Sequence, residues 1–362
     1  MLDERFMNLA LNMARTTEGQ TAPNPVVGAV IVKNNQVVGM GAHLKAGEPH
    51  AERHALAMAG RKAEGSTCYV TLEPCSHYGR TPPCADALID AKVERVVIAT
   101  RDPNPKVAGR GIEKLKEAGI LITEGVMEKE AQALNRTFFH FIKHRRPFVT
   151  LKSATSIDGK IATSTGESKW ITGPEARLNV HQLRHENDGI LVGVKTVIAD
   201  DPLLTTRLPG GGKHPVRIVL DHSLNIPVTA SLVTDRSSPT WVVTSGNHNA
   251  QKKEELESAG VRVLPINAAS IEIEDVLNLL GELGIMSLLV EGGGHVNDSF
   301  LRSGLFDQVV VYLAPLIIGG QNALSSFSGT GIERLSDGSR LKIKSAEMVG
   351  KDLKVTAVKE ER

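Results

Sequence analysis

Aromatic side chains make up only 4% of this 362-residue chain, and neither sign of charge dominates, with 42 Lys and Arg against 41 Asp and Glu. A protein that grips a polynucleotide needs a basic excess for the phosphates and aromatics on which bases stack. Neither is present, which argues against nucleic acid as a partner. Three cysteines in so long a chain cannot build a disulfide framework, so the thiols are read as kept for metal or packing in a reducing compartment. No apolar run approaches the roughly 20 residues of a membrane-spanning helix. The opening "MLDERFMNLALNMAR" reads as an amphipathic helix with Phe6, Leu9, Ala10 and Met13 on one face, not as a signal peptide. The expectation is a soluble cytoplasmic protein of two or three domains.

What is present alternates. From Val26, apolar runs ("VVGAVIV", "VVGMGA", "STCYVTLE", "RVVIAT", "ILIT") are interleaved with helical patterns ("HAERHALAMAG", "PCADALIDA", "RGIEKLKEAG"), ending in a helix from Met127 to about Phe141. Strands alternating with helices imply a layered α/β sheet. The stretch "KHRRP" then interrupts the pattern, which predicts a boundary between residues 1–146 and 147–362. The first part is mildly basic, with 20 Lys and Arg against 16 Asp and Glu, enough for a small anion. The second part is again α/β, from "FVTLKSAT" through "GILVG", "VRIVL", "TWVVTS" and "SLLVEGGG" to "QVVVYLAPLIIG" and two final strands near Ile343 and Val355.

"GEPHAERHAL" puts His50, Glu52 and His54 at a helix start, and "PCSHYGRTPPC" puts Cys75 and Cys84 after a strand. His-x-Glu followed by Pro-Cys is the pattern of zinc-dependent base deaminases. Either half alone is common, but the two together in this context are specific. One imidazole and two thiolates leave zinc a fourth position for water, whose pKa can fall from 15.7 to about 7. Glu52, not a ligand, can take that water's proton and hand it to the leaving ammonia. Eight residues separate the cysteines, wider than the two of a usual paired knuckle, so His54 stays open as a ligand should Cys84 fail. Cys68, inside "STCYVTLE", reads as a small buried apolar residue.

"TAPNPVVGAVIV", "HAERHA" and "TLEPCSHYGRTPPCADALI" together resemble the bifunctional deaminase/reductase family of riboflavin biosynthesis, in which an insert displaces the second cysteine. The resemblance implies zinc on His50, Cys75 and Cys84, Glu52 as proton carrier, and a cytidine-deaminase-like three-layer α/β fold for residues 1–146. The insert "SHYGRTPP" also has a physical reading: His77 and Arg80 are donors on a turn made close by Gly79 and stiffened by Pro82 and Pro83, suited to a phosphate monoester. With Asn24 and His43 they are expected to hold the substrate. The competing reading is a solvated polar loop.

In the second part, "SLLVEGGGHVNDSFLRSG" runs strand, three glycines, helix, a loop that lets backbone N–H groups approach a phosphate. It is not the G-x-G-x-x-G fingerprint, and a tight structural turn explains it nearly as well. "LKSATSIDGKIA", the Trp-Ile-Thr after a Ser-Lys pair, "GILVGVKTVIADDPLLTTR" and "VEGGGHVNDSFL" resemble the reductase domain of the same family. That implies a dihydrofolate-reductase-like α/β domain using NADPH. By position the cofactor residues would be Ala154, Trp170, Thr196, Asp200, Ser223 and the run Gly293, Gly294, His295, Val296, Asn297, Asp298 and Ser299. The substrate residues would be Ser168, Arg184, Leu204, Arg207 and Glu291. The two arginines suit a sugar phosphate. Lys152 and Glu291 are the candidates for the proton that accompanies hydride transfer, against Lys152 as a snorkelling residue at a sheet edge.

The resemblance implies two successive reactions. The first is zinc-dependent hydrolytic deamination of 2,5-diamino-6-ribosylamino-4(3H)-pyrimidinone 5′-phosphate. The second is NADPH-dependent reduction of the ribosyl to a ribityl group, giving 5-amino-6-ribitylamino-uracil 5′-phosphate. The expected partners are these small phosphorylated molecules and further copies of the chain, with no nucleic acid and no membrane. One rival is a nucleoside deaminase fused to an unrelated domain. The other is a binding protein with structural zinc, which would need a fourth protein ligand, and His54 alone is available.

Overall fold

The structure, a computed structural model, describes residues 2–78, 82–104, 107–268 and 270–360. The chain divides into two compact units, residues 1–145 and 146–362. Among the described residues no helix is long and apolar enough to cross a membrane.

The first unit opens with α1 (Leu2–Arg15), the hairpin β1 (Gly28–Lys33) and β2 (Gln36–Ala42), then α2 (Ala51–Ala59), β3 (Thr67–Val70) and α3 (Cys84–Asp90). β4 (Arg95–Ile98), α4 (Arg110–Glu117), β5 (Leu121–Glu124), α5 (Glu128–Leu134) and α6 (Arg136–His144) complete it. Its sheet runs β2-β1-β3-β4-β5, antiparallel up to β3 and parallel from there on. Successive strand residues point to opposite faces, and both faces are covered. Ala29, Ile31, Val96 and Ile98 pack with Ala51, Ala55, Leu88 and Leu115, whereas Val30, Val32 and Val97 pack with Phe6, Met7, Leu11 and Ala131. This is a three-layer α/β fold.

Two local details differ from the sequence reading. The buried stripe of α1 is Phe6, Met7, Ala10, Leu11 and Ala14, with Leu9 and Met13 only half-buried. The helix lies so close to β1 that a Cβ on Gly28 would overlap the Ala10 carbonyl, which selects the face. The expected single helix from Met127 to Phe141 is two, broken at Asn135. That side chain is captured by the backbone of Val26, accepting from its N–H and donating to its carbonyl, both at 2.9 Å.

The second unit begins with β6 (Phe148–Ser156), α7 (Pro174–Glu186), β7 (Gly189–Gly193), α8 (Val194–Asp200), β8 (Val216–Leu220) and α9 (Ser231–Thr234). There follow β9 (Thr240–Ser245), α10 (Ala250–Ser258), β10 (Arg262–Ile266), α11 (Ile273–Glu282), β11 (Ser287–Val290), α12 (Gly294–Ser303), β12 (Gln308–Ala314), β13 (Leu341–Val349) and β14 (Asp352–Lys359). The nine-stranded order is β10-β9-β8-β7-β11-β6-β12-β14-β13. It is parallel from β10 to β12, with the last two strands antiparallel. Alternation again serves two faces: Leu191, Ile218, Leu288 and Val290 join one core, and Ile190, Val192, Val219 and Leu289 the other.

Candidate active sites

In the first unit, β3 and β4 are parallel neighbours, so the segments that follow them emerge at one edge of the sheet. Cys75 lies five residues beyond the end of β3, and Cys84 is the first residue of α3. The two cysteines are brought together where the Ala85 N–H reaches back to the Cys75 carbonyl at 3.1 Å. His50 is the N-cap of α2, and α2 sits tightly on β2 because Gly41 lacks a Cβ that would strike the Ala51 carbonyl and the Cβ of His54. The outcome is a cluster of His50 Nδ1, Cys75 Sγ and Cys84 Sγ within 4.8 Å of one another. The imidazole nitrogen lies 3.5 Å from Cys75 Sγ and 3.3 Å from Cys84 Sγ. Tetrahedral zinc bonds of about 2.1 Å to nitrogen and 2.3 Å to sulfur would set these atoms roughly 3.6 Å apart, so the donor set and spacing fit zinc. His54 stands outside the cluster, with its Nε2 buried. Cys68 is fully buried in β3.

The two thiols are shifted in opposite directions. The Cys84 thiol beside Cys75 holds it down to about 4, against burial and with help from His50. Cys75 and burial in turn push Cys84 well up. The carboxyl of Glu52, 3% exposed in the first turn of α2, is pushed up to about 7 by burial and by Cys75, against the pull of His50. His43, 2% exposed, stands edge-on to His50 with ring centres 5.2 Å apart, and Asn24 Nδ2 lies 3.0 Å from its Nε2. Asn24 and His43 therefore adjoin the cluster. His77 is exposed, and Arg80 lies outside the described residues.

Two residues here escaped the sequence reading. Glu73 is buried and accepts from the backbone N–H groups of Gly109 and Gly111 at 3.0 Å and of Asp102 and Ile112 at 3.4 Å. It ties the loop after β4 and the start of α4 to the Pro74–Cys75 segment. Asp102, in that loop, is pushed up to about 6 by burial, with Glu73 and Cys75 adding to the effect. The available signal was topological, since residues after adjacent parallel strands share an edge.

In the second unit, the pairing of Val290 with Leu151 puts Glu291 beside Lys152 on strands that lie inside the sheet, so Lys152 is not an edge residue. Its Nζ lies 3.4 Å from Glu291 Oε2. Arg184 of α7 grips the same carboxylate through two bonds, Nε to Oε1 at 2.7 Å and Nη2 to Oε2 at 3.0 Å. Burial alone would raise the Glu291 pKa, but the charges of Arg184 and Lys152 outweigh it and hold the group down to about 2. Arg184 Nη1 also donates to the Thr205 carbonyl at 3.1 Å, and Arg207 donates to Thr205 Oγ1 at 3.1 Å. Leu204 is buried with φ +54°. His181, one turn before Arg184, was not foreseen; burial and the two arginines press its pKa down to about 4.

The glycine loop follows β11 at the same edge. Gly292 takes φ +87°, Gly293 N–H donates to Thr196 Oγ1 at 3.1 Å, and Gly193 N–H donates to the Gly292 carbonyl at 3.0 Å. Thr196 thus adjoins Gly293, Gly294 and the exposed His295 at the start of α12. Val296 packs toward Gly193, Ser299 donates to the His295 carbonyl, and Asn297 and Asp298 are buried. Asn297 donates to the Ser326 carbonyl at 2.9 Å and Asp298 pairs with Arg302 at 3.0 Å, so their side chains are engaged within the protein. Lys169 reaches the Asp200 carbonyl, and Trp170, 69% exposed, stacks with Arg177. Ser168 and Ala154 are half-buried, and Ser223 is exposed just beyond β8. Backbone donors at the start of a ten-residue helix, with a hydroxyl beside them, fit a dinucleotide phosphate.

Comparison with known proteins agrees with this geometry. Residues 1–100 match the family model of the cytidine and deoxycytidylate deaminase zinc-binding region, and residues 147–355 match that of the RibD C-terminal domain. The chain is 50% identical over 357 residues to the riboflavin biosynthesis protein RibD of Bacillus amyloliquefaciens, covering 99% of this chain and 96% of the relative. It is 41% identical over 365 residues to that of Escherichia coli K12, covering 98% of each. Among solved structures it superposes on Acinetobacter baumannii RibD with a TM-score of 0.89 at 38% identity, covering 99% of both chains. The diaminohydroxyphosphoribosylaminopyrimidine deaminase/5-amino-6-(5-phosphoribosylamino)uracil reductase of Thermotoga maritima gives 0.88 at 37%, with the same coverage.

Proposed function

The chain belongs to the RibD family of riboflavin biosynthesis, a zinc deaminase joined to a reductase, and from that premise we propose which residues carry each reaction. Residues 1–146 form the deaminase and 147–362 the reductase. The deaminase converts 2,5-diamino-6-ribosylamino-4(3H)-pyrimidinone 5′-phosphate to the corresponding uracil with release of ammonia. The reductase turns the ribosyl into a ribityl chain.

His50, Cys75 and Cys84 hold the zinc, which supplies Lewis-acid activation of water. Glu52 takes the proton of the attacking water and returns it to the departing ammonia, a double role open to a buried carboxyl that stands beside the cluster without being part of it. Asn24 and His43 orient the ring, and His77 with Arg80 binds the phosphate. In the reductase, Thr196 and the Gly293–Gly294 backbone hold NADPH, which supplies the hydride. Glu291 is ionised and so serves as counter-charge, leaving Lys152 as the proton donor. Arg207 and Arg184 face the substrate phosphate. The observation that carries this reading is the convergence of one imidazole, two thiols and a buried non-ligand carboxyl in the first unit.

Edge strand β13 is exposed along nearly its whole length, with Ile343 at 66% and Met348 at 64%. Such edges are usually covered, which supports a homo-oligomer. Two thiols kept for metal support a reducing, cytoplasmic setting.

The test is mass analysis of the products formed from the diaminopyrimidinone phosphate. Without NADPH the mass rises by about one unit, as NH2 becomes O; with NADPH it rises by about two more. Chelator should abolish the first change. Deamination that survives complete zinc removal would overturn the deaminase assignment.

A further inference from the structure

The segment that carries Arg207 does not hold its shape unaided. Leu204 sits in the left-handed region at φ +54°, a conformation disfavoured for a non-glycine residue. Three side chains fix the segment from different directions. Buried Arg217 of β8 donates to the Leu203 carbonyl at 3.4 Å, Arg184 of α7 donates to the Thr205 carbonyl at 3.1 Å, and His214 Nδ1 accepts from the Thr206 N–H at 3.1 Å. His214 is anchored in its turn, because the neighbouring Lys213 N–H donates to His185 Nδ1 at 2.9 Å and Lys213 Nζ pairs with Asp188 at 3.0 Å.

His185 and Arg184 are adjacent on α7, so the hydrogen bonds form a closed circuit: α7 to 213–214, across to 205–206, and back to α7. Each imidazole must keep Nδ1 bare to accept a backbone N–H, which puts the ring proton on Nε2. The circuit also needs Gly212, where a Cβ would come within 2.9 Å of Thr206 Cγ2 and 3.1 Å of His185 Nδ1. What the circuit sets is the spacing of the two arginines, because Arg184 donates to the Thr205 carbonyl and Arg207 to the Thr205 hydroxyl, both at 3.1 Å, and an anion between two guanidinium groups needs that spacing kept.

We propose that His185 and His214 are positioning residues that set the approach of Arg207 to Arg184, and hence the grip of the reductase on its substrate's phosphate. This rests on the reading of the second unit as the reductase. The experiment compares reduction of the phosphorylated substrate and of its dephosphorylated analogue by wild type, His214→Phe and His214→Asn. The Phe variant keeps a ring and removes the acceptor, whereas Asn offers its amide oxygen near the place of Nδ1.

Loss of one such bond should raise KM for the phosphorylated substrate about tenfold, with KM for the analogue and for NADPH little changed and kcat affected far less. Asn should recover most of the loss. Equal effects on both substrates, a fall in kcat at constant KM, or an Asn variant no better than Phe would overturn the proposal. Should His214→Phe fail to fold, Gly212→Ala takes its place: the same selective rise supports the circuit, and an unchanged KM overturns it. Wild type that fails to oxidise NADPH with either substrate removes the reductase reading itself. Active wild type with unselective variants removes only the positioning role.

Discussion

Glu291 and Arg184 form a two-point ion pair, 2.7 Å and 3.0 Å, with side chains only 9% and 12% exposed. The Glu291 pKa is held at about 2 against an ordinary 4.5. A carboxylate depressed on folding contributes stability that is complete above its unfolded pKa and is lost as pH falls toward the folded one. The window is therefore about pH 4.5 down to 2, and the contribution is about 3 kcal/mol. Both tryptophans, Trp170 and Trp241, lie in the second unit, so their fluorescence follows that unit alone. Urea midpoints at pH 7, 4.5 and 3 should show a smaller loss on acidification in Glu291→Gln than in wild type. Identical slopes would mean that the carboxylate is not held down.

The cysteine assignment can be separated from its rival at His54. Cys84→Ser is expected to cut zinc retention by more than the 10- to 100-fold typical of losing a supporting contact, and ammonia release should fall with it. His54→Gln should keep a full equivalent of zinc. Metal content after dialysis distinguishes the two directly. Loss of zinc in the histidine variant, with retention in Cys84→Ser, would exchange their roles.

Strand alternation made both sheets legible in the sequence, because a residue pair such as Ile31 and Val32 must serve two different cores. Elements without an apolar stripe were not legible. α10, "AQKKEELES", buries only Leu256, and α8 buries only Val197, too little to mark a face in the sequence. The metal cluster could be read because His50, Glu52 and Cys75 sit in short motifs whose spacing carries the chemistry. The Lys152–Glu291 contact could not be, since it joins residues 139 positions apart and depends on β11 lying next to β6. Glu73 and His214 were hidden for a related reason: their partners are backbone N–H groups, which any residue type can supply.

Asn135 illustrates a helix break with a purpose. Its amide satisfies both backbone groups of buried Val26, next to Val27, whose carbonyl accepts from the N–H of His43 at 2.9 Å. Asn135→Ala leaves two buried backbone groups unpaired and should destabilise the first unit by about 2–4 kcal/mol, at 1–2 kcal/mol for each. Because the same stretch presents Asn24 and His43, KM of the deaminase should rise too. Thermal unfolding followed by backbone circular dichroism, together with ammonia-release kinetics, would check both effects. Asn135→Asp keeps the acceptor but sets a buried carboxylate oxygen against the Val26 carbonyl, so at pH 7 it should be no more stable than the alanine variant.

Lys152 lies on an interior strand with its side chain 12% exposed and its ammonium 3.4 Å from Glu291, a setting that leaves little for a snorkelling residue to do. Removing its proton should slow the step in which hydride and proton arrive together. For Lys152→Met, 10²- to 10⁴-fold is the usual scale of losing a general acid. Single-turnover reduction with NADPH deuterated at the transferred position is the measurement. A deuterium effect that grows in the variant would mean that hydride transfer has become limiting, as expected when its accompanying proton is missing. The Glu291→Gln variant provides the contrast: it removes the counter-charge and keeps the amine, so reduction should slow less than in Lys152→Met. If the two variants lose the same activity, the pair acts only as a unit of binding, and the donor must be sought elsewhere, for example at His181, one turn before Arg184 and within reach of the Glu291 charge.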